Sequence, residues 1–159
     1  MIRIAKLTDY AIVLLSFFAS DPERPVHNAR DLAKKTGVPL PTVSKILKAL
    51  ARGELVLSQR GVNGGYRLSR DAGLISVADI ISAVEGPIAM TECSVEPAGI
   101  CDREGACPVG ANWQKINRVV GDALDGLTLA DMARPLRAQA TATRRGRDLG
   151  RSAVATGRA

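Results

Sequence analysis

All three cysteines of this 159-residue chain, Cys93, Cys101 and Cys107, fall within one stretch of 15 residues. Cysteine thiolates are the usual ligands of zinc ions and iron–sulfur clusters, and the glycines and the proline between the cysteines would let the backbone wrap such a centre. An odd number of cysteines argues against a disulfide framework. We therefore expect a metal or cluster site in residues 88–110, and favour it over a redox-active thiol switch or three inert thiols.

The charges around these cysteines also favour a metal. Glu92, Glu96, Asp102 and Glu104 outweigh the single cation Arg103 in this loop. Carboxylates disfavour the thiolate form of a neighbouring cysteine, which makes a bare thiol sensor less favourable. A zinc ion or an iron–sulfur cluster supplies its own positive charge and holds cysteine as thiolate.

Three thiolates leave one coordination position for another residue. His27 is the only histidine, but a lone histidine is more often a core or surface residue than a ligand. Asp9, near the start of the first predicted helix, is the other candidate, because the opposite subunit of a dimer could supply it. A favourable charge at a helix N-terminus is the competing explanation. A cysteine nucleophile lacks a convincing general base, so we expect neither an enzyme nor a small-molecule substrate.

A second set of polar residues could contact DNA. Residues 31–47 have the layout of a helix-turn-helix, in which the small Ala33 lets two helices approach and Gly37 makes the turn. The second helix turns Val43 and Ile46 inward. Its outer face is short, polar and basic, which suits base edges and phosphates in the major groove. That face carries Thr42, Ser44, Lys45 and Lys48.

A hairpin wing is predicted after the helix-turn-helix. Residues 55–57 and 66–68 are strand candidates on either side of a glycine-rich tip. Arg60 at this tip can reach into a narrow minor groove, and Asn63 could assist it. A generic three-helix bundle with a solvated hairpin is the alternative. The turn pattern, the basic face and the wing occur together, which favours a DNA-binding module.

Further helices must position these residues. A first helix is predicted to bury Tyr10, Val13, Leu14 and Phe17. Another carries its apolar residues at 77, 80, 81 and 84, begins with a capping box from Ser76 to Asp79 and stops at residues 86–87. We divide the chain into a DNA-binding domain (residues 1–87), a cysteine loop (88–110), a long helix with a short following helix (111–132) and a disordered basic tail (133–159). The predicted fold is mainly α, a winged helix-turn-helix with a long C-terminal dimerisation helix.

The long helix carries an apolar stripe that needs a partner. Its members recur at helical spacing and are Trp113, Ile116, Val120, Leu124 and Leu127. The stripe could pack on its own domain, but we favour the seam of a homodimer, because regulators of this kind read paired half-sites.

The distribution of charge agrees with a DNA-binding first half. Residues 1–70 hold 12 basic and 5 acidic side chains, whereas residues 71–132 hold 3 basic and 10 acidic ones. The tail adds seven arginines and one aspartate, which either raise nonspecific DNA affinity or are merely solvated. Neither a membrane span nor a signal peptide is predicted, so we expect a soluble, cytoplasmic protein.

Four segments of the chain together resemble the Rrf2 family of winged-helix regulators, which includes the IscR, NsrR and RirA branches. They are residues 7–11 (Leu-Thr-Asp-Tyr-Ala), the helix-turn-helix, residues 60–68 with their glycines, and the cysteine loop followed by Asn112 and Trp113. The resemblance covers about residues 2–132. Residues 3–10 and 91–113 look most like the regulator of the SUF iron–sulfur assembly operon.

The resemblance implies a homodimeric repressor that binds a double-stranded DNA operator and carries one iron–sulfur cluster per subunit, whose state sets DNA affinity. It places Pro41 among the DNA contacts and makes Cys93, Cys101 and Cys107 the cluster ligands. The IscR branch has a histidine ligand where this chain has Gly110, and the NsrR branch uses an aspartate matching Asp9. A 4Fe–4S cluster is thereby favoured over a 2Fe–2S cluster. The alternative is a winged-helix repressor with a structural zinc or a thiol-redox site sensing nitric oxide, iron or oxidative stress.

Overall fold

The computed structural model describes residues 3–20, 26–61, 64–94, 101 and 106–134, with only the backbone of Cys93. These residues form a mainly helical fold with one hairpin, which confirms the predicted winged-helix class. The elements are α1 (Lys6–Ser20), α2 (Ala29–Thr36), α3 (Leu40–Arg52), β1 (Val56–Gln59), β2 (Gly65–Leu68), α4 (Val77–Glu85), α5 (Gly110–Asp125) and α6 (Leu129–Ala133). Short 3-10 turns lie at Ala72–Leu74 and Glu92–Ser94.

The helix-turn-helix forms as its sequence signals predict. The side chain of Asn28 caps α2 by accepting a hydrogen bond from the Asp31 N–H at 2.8 Å. Gly37 ends the helix in the left-handed region, at φ 71°, where glycine is favoured. A proline at the start of α3 suits the first helical turn. The turn therefore fixes α3, the predicted recognition helix, against α2.

The core lies between α1, α3, α4 and α6. Its fully buried side chains include Leu14, Leu15, Ile46, Leu47, Leu50, Ile80 and Leu129. The prediction for α1 was partly wrong. Val13 is 39% exposed, and Ala11, Leu15 and Phe18 are buried in its place beside Leu14. Because α1 is apolar on most sides and packs against several helices, periodicity alone could not fix which face is innermost.

The wing is an antiparallel pair in which Val56 faces Leu68 and Gln59 faces Gly65. It begins one residue later than predicted and extends further toward the tip. His27 adds a bridge, because its N–H donates to Tyr66 O at 2.9 Å and its carbonyl accepts from Tyr66 N–H at 2.8 Å. The His27 ring is fully buried, with its centroid 4.9 Å from that of Phe18. His27 is therefore a core residue.

The chain returns to this core after α5. Ser76 and Thr128 begin α4 and α6 with matching capping boxes, and the two residues form an antiparallel bridge. The Val77 N–H donates to Leu127 O and the Leu129 N–H to Ile75 O, both at 2.8 Å. Hydrogen bonds from the side chain and backbone of Thr128 hold the pKa of Asp131 below its ordinary value of 3.8. These contacts fasten the end of α5 beside the start of α4.

Candidate nucleic-acid interface and cysteine loop

The outer face of α3 has the polarity that the sequence predicts. Val43, Ile46, Leu47 and Leu50 are completely buried on the inner face. On the other side Pro41, Lys45 and Lys48 are exposed, and Thr42 and Ser44 are partly buried. Burial of the apolar face therefore holds α3 in an orientation that presents its polar residues outward.

A groove of about 480 Å³ separates α3 from the wing. Its lining combines the basic face of α3 with two polar residues of the hairpin, and consists of Lys45, Lys48, Ala51, Arg52, Ser58 and Tyr66. Arg52, Ser58 and Tyr66 were not among the predicted contacts. Helical spacing could have revealed Arg52, because it lies four residues after Lys48 and seven after Lys45 on the same helix.

The tip of the wing is shaped by glycine. Gly61 has φ 115°, and the Gly64 N–H donates to Gly61 O at 2.9 Å. A Cβ at Gly64 would lie 2.6 Å from Gln59 O, so this position excludes any side chain. Arg60 is exposed beside the turn. Asn63 lies outside the described residues.

The basic residues of α3 have no acidic partner within the described part of the chain. The ion pairs there join Arg70 to Asp79 at 2.7 Å and Arg134 to Asp131 at 3.4 Å. Neither involves Lys45, Lys48 or Arg52. Their charges are thus available to an external anion.

The cysteine loop is described in part. Cys101 and Cys107 are free and partly buried, and Cys93 lies in the turn Glu92–Ser94 with its side chain outside the described set. Among the side chains that are described, no three of His, Cys, Asp or Glu gather as metal ligands. Asp9 is exposed on α1 and does not join Cys101 and Cys107 within one chain.

The surroundings of Cys107 are suited to a metal-bound thiolate. Cys107 lies three residues before the first residue of α5, and its carbonyl accepts from the Gly110 N–H at 3.3 Å. The N-terminus of a helix is electropositive and suits a bound anionic group such as a metal–thiolate cluster. A Cβ at Gly110 would lie 4.0 Å from Cys107 Sγ, an ordinary contact distance. Soft sulfur donors at an electropositive helix end fit an iron–sulfur cluster or zinc.

Asn117 connects the start of this loop to α5. Its Oδ1 accepts from the Met90 N–H at 3.0 Å, and its Nδ2 donates to Ile88 O at 3.2 Å. One side chain thereby satisfies two backbone groups of the loop. We call these two hydrogen bonds the Asn117 clamp. The sequence carries no local signal for it, because the partners of Asn117 lie 27 and 29 residues away.

Glu85 connects the end of α4 to the start of α1. Its carboxylate accepts hydrogen bonds from the Thr8 hydroxyl and, at 3.2 Å, from the Ala5 N–H. Thr8 is fully buried. A carboxylate at a helix N-terminus is electrostatically favourable. This contact fixes the backbone next to Asp9 and was also missed from the sequence.

The apolar stripe of α5 is only partly covered in the protomer, where Val120 and Leu124 are partly buried and its other members are exposed. None of the 16 residues of α5 is buried, and Trp113, Ile116 and Val119 are 37%, 44% and 61% exposed. Leu127, just after the helix, is 48% exposed. Within the described ranges no helix combines the length and apolarity needed to cross a bilayer.

Comparisons with known proteins agree with this geometry. Residues 4–135 match the model of the Rrf2 family, described as an iron-dependent transcriptional regulator. The chain is 33% identical to protein aau3 of Rhizobium meliloti over 84% of its length and 87% of that protein. It is 28% identical to the HTH-type transcriptional regulator IscR of Klebsiella pneumoniae over 82% and 78% of the two chains.

A solved structure is similar as well. CymR, the global cysteine regulator of B. subtilis, superposes with a TM-score of 0.64 at 27% identity and covers 84% of this chain and 97% of its own. IscR and CymR are regulators, which agrees with the expectation that this chain is not an enzyme.

Proposed function

Because the chain belongs to the Rrf2 family of DNA-binding transcriptional regulators, we propose that it is a cytoplasmic, homodimeric repressor of iron–sulfur assembly genes whose DNA affinity depends on an iron–sulfur cluster. The observation that carries the proposal is the position of the cysteine loop. It joins α4, which packs against α3, to α5, which exposes the apolar stripe. A change in this loop can therefore alter how the winged helix-turn-helix regions of the two subunits are arranged relative to each other.

The cluster site uses Cys93, Cys101 and Cys107 as thiolate ligands, with Asp9 of the partner subunit as the fourth ligand and a 4Fe–4S cluster favoured over 2Fe–2S. When bound, the cluster supplies a centre that responds to oxidants, nitric oxide or iron supply. The electropositive start of α5 follows Cys107 and suits an anionic cluster held there. Asn117 holds residues 88–90 against α5, and Glu85 fixes the backbone beside Asp9.

The energy required of this coupling is modest. If the cluster favours one arrangement of the two winged helix-turn-helix regions by about 1–3 kcal/mol, operator affinity changes by about 5- to 150-fold. Contacts at the loop and at the ends of α5 are of this order, since a single buried hydrogen bond contributes about 1 kcal/mol.

In the proposed complex, α3 enters the major groove with Pro41, Thr42, Ser44, Lys45 and Lys48, and the wing places Arg60 and Asn63 in the minor groove. Lys45→Ala should weaken operator binding at physiological salt, measured by fluorescence anisotropy. Lys115→Ala on α5 is the control, because it removes the same charge away from this face. Equal effects of the two changes would remove Lys45 from the DNA-reading face.

The dimer forms through the apolar stripe of α5, whose members recur at helical spacing and are Trp113, Ile116, Val120, Leu124 and Leu127. Ile116→Asp should produce a monomer in analytical ultracentrifugation, because a buried unpaired carboxylate opposes association. Gln114→Asp, at an exposed position beside the stripe, should leave the dimer intact. A dimer that survives Ile116→Asp would place the interface elsewhere.

The decisive experiment is anaerobic purification with an absorbance spectrum and counts of iron, sulfide and zinc. Brown protein with iron and sulfide in equal amounts is the expected result, and Cys93→Ala should abolish the colour. Gly110→His adds an imidazole beside Cys107, where a Cβ meets no obstacle. It should alter the spectrum if the cluster sits at this helix end.

The second candidate is a winged-helix repressor with a structural zinc or a thiol-redox site. The free and partly exposed thiols of Cys101 and Cys107 favour it, because oxidation requires access. Colourless protein with one zinc per chain, or with reversible thiol oxidation and no metal, would establish this alternative and refute the cluster.

A further inference from the structure

We infer that the groove between α3 and the wing is a phosphodiester-binding site, and that Arg52, Ser58 and Tyr66 contact the DNA backbone there. The inference rests on the proposed placement of α3 in the major groove and the wing tip in the minor groove. It extends the predicted contacts from the reading face of α3 to the space between the two elements.

The geometry of duplex DNA requires such a site. The major and minor grooves are separated by a sugar-phosphate backbone. A protein that inserts one element into each of two adjacent grooves must therefore straddle that backbone. The space between α3 and the wing is the groove of about 480 Å³, so the backbone passes through it.

The lining has the chemistry that a phosphodiester requires. Lys45, Lys48 and Arg52 supply three cations from one side, and the wing supplies Ser58 and Tyr66 from the other. Within the described residues no ion pair engages these cations. Ala51 is the only aliphatic member of the lining, and its short side chain leaves space between the two walls. Guanidinium groups bind phosphate in bidentate geometry, which distinguishes Arg52 from the two lysines.

The groove is built before DNA arrives. Ser58 and Tyr66 are direct partners in the hairpin, and both backbone hydrogen bonds of Tyr66 to His27 tie the strand to the buried segment before α2. The opposite wall is a helix whose inner face is fully buried. A preformed site binds phosphate without the cost of ordering its walls.

The test uses full-length protein and a labelled duplex of about 30 base pairs and arbitrary sequence, because phosphate contacts do not depend on sequence. Arg52→Gln should lower affinity at low salt by about tenfold, equivalent to about 1.4 kcal/mol. It should also reduce the slope of log affinity against log salt by about 0.9 for each DNA-bound subunit, the contribution of one phosphate contact. Arg52→Lys should keep the slope. Lys115→Gln is the charge-matched control and should change neither quantity.

A second variant tests the groove from its other wall, so that the inference can still be tested if Arg52→Gln does not fold. Ser58→Asp places a carboxylate on the exposed opposite wall and should weaken binding to the same duplex by repelling phosphate, whereas Gln114→Asp should not. The inference would be overturned if Arg52→Gln kept the wild-type slope of log affinity against log salt, or if Ser58→Asp bound the duplex with wild-type affinity. Either result would leave the proposed DNA-binding function intact. Absence of any DNA binding by the wild-type protein would overturn the proposed function as well.

Discussion

Replacing Gly53 with alanine should drive α3 and α4 apart. The backbone of Gly53 has φ −80° and ψ 9°, which alanine adopts without strain. The added Cβ would lie 2.5 Å from Ala83 Cβ and 3.2 Å from Ala83 Cα. Carbon atoms in contact are normally about 3.5–4.0 Å apart, so the helices must separate by about 1 Å. The cost of the substitution is therefore steric.

The size of the effect follows from two opposing contributions. Overpacking a well-filled contact costs about 1–3 kcal/mol. Alanine also restricts the unfolded chain, which returns about 0.4–1 kcal/mol. We expect Gly53→Ala to lower the free energy of unfolding by about 1–2 kcal/mol. Gly121→Ala is the matched control, because a Cβ at this position in α5 meets nothing within 4 Å. It should raise the free energy of unfolding by about 0.5–1 kcal/mol.

Equilibrium urea unfolding of Gly53→Ala and Gly121→Ala measures the change in the free energy of unfolding for each variant. A compensating change separates steric conflict from other causes, since Ala83→Gly removes the Cβ that the methyl group added at position 53 would meet. The double variant Gly53→Ala with Ala83→Gly should recover part of the loss that Gly53→Ala causes alone. Additive losses in the double variant, or a Gly53→Ala protein as stable as wild type, would refute the close contact between α3 and α4.

Three further predictions concern single side chains. Asn117→Leu should speed amide hydrogen exchange at Met90 by about tenfold or more, because the N–H loses its acceptor; unchanged exchange would contradict the clamp. Glu85→Ala should lower the free energy of unfolding by about 1–3 kcal/mol, because it leaves the buried Thr8 hydroxyl without this acceptor, and Glu85→Gln should lower it less. Thr128→Ala should cost about 1 kcal/mol through loss of the α6 cap. The pKa of Asp131 is lowered in the folded protein, so its ionised carboxylate stabilises the fold above the ordinary value of 3.8, and this stabilisation is lost as pH falls below that value. Thr128→Ala should make the free energy of unfolding fall less steeply with decreasing pH in this range. A pH dependence identical to that of the wild type would contradict the effect of Thr128 on Asp131.

The elements with local signals were predictable from the sequence. Gly37 needs a left-handed backbone, the spacing of Ser76 and Asp79 forms a capping box, and the inner face of α3 repeats at helical intervals. Each signal lies within a few residues of the structure that it specifies. The helix-turn-helix, the wing and the start of α4 therefore followed from short-range chemistry alone.

Features that depend on distant partners were not predictable in this way. Glu85 meets Thr8 across 77 residues, and the groove lining joins Arg52 of α3 to Tyr66 of the hairpin. The buried face of α1 depends on the helices that surround it. Tertiary packing decides such contacts, whereas periodicity and capping report only on the local chain.

The pairing of Ser76 with Thr128 bears on how this molecule can be divided. Leu129 fills the same core as Leu14 and Ile80, so residues from both sides of the cysteine loop complete one folding unit. Truncation after residue 87 would open a cavity in that core and would not release an independent winged helix. The chain from residue 88 to residue 126 instead starts and ends at anchored points, so a change in the length of the cysteine loop within it costs little loop-closure entropy. The cysteine loop can thus change while the winged helix-turn-helix that it follows stays constant.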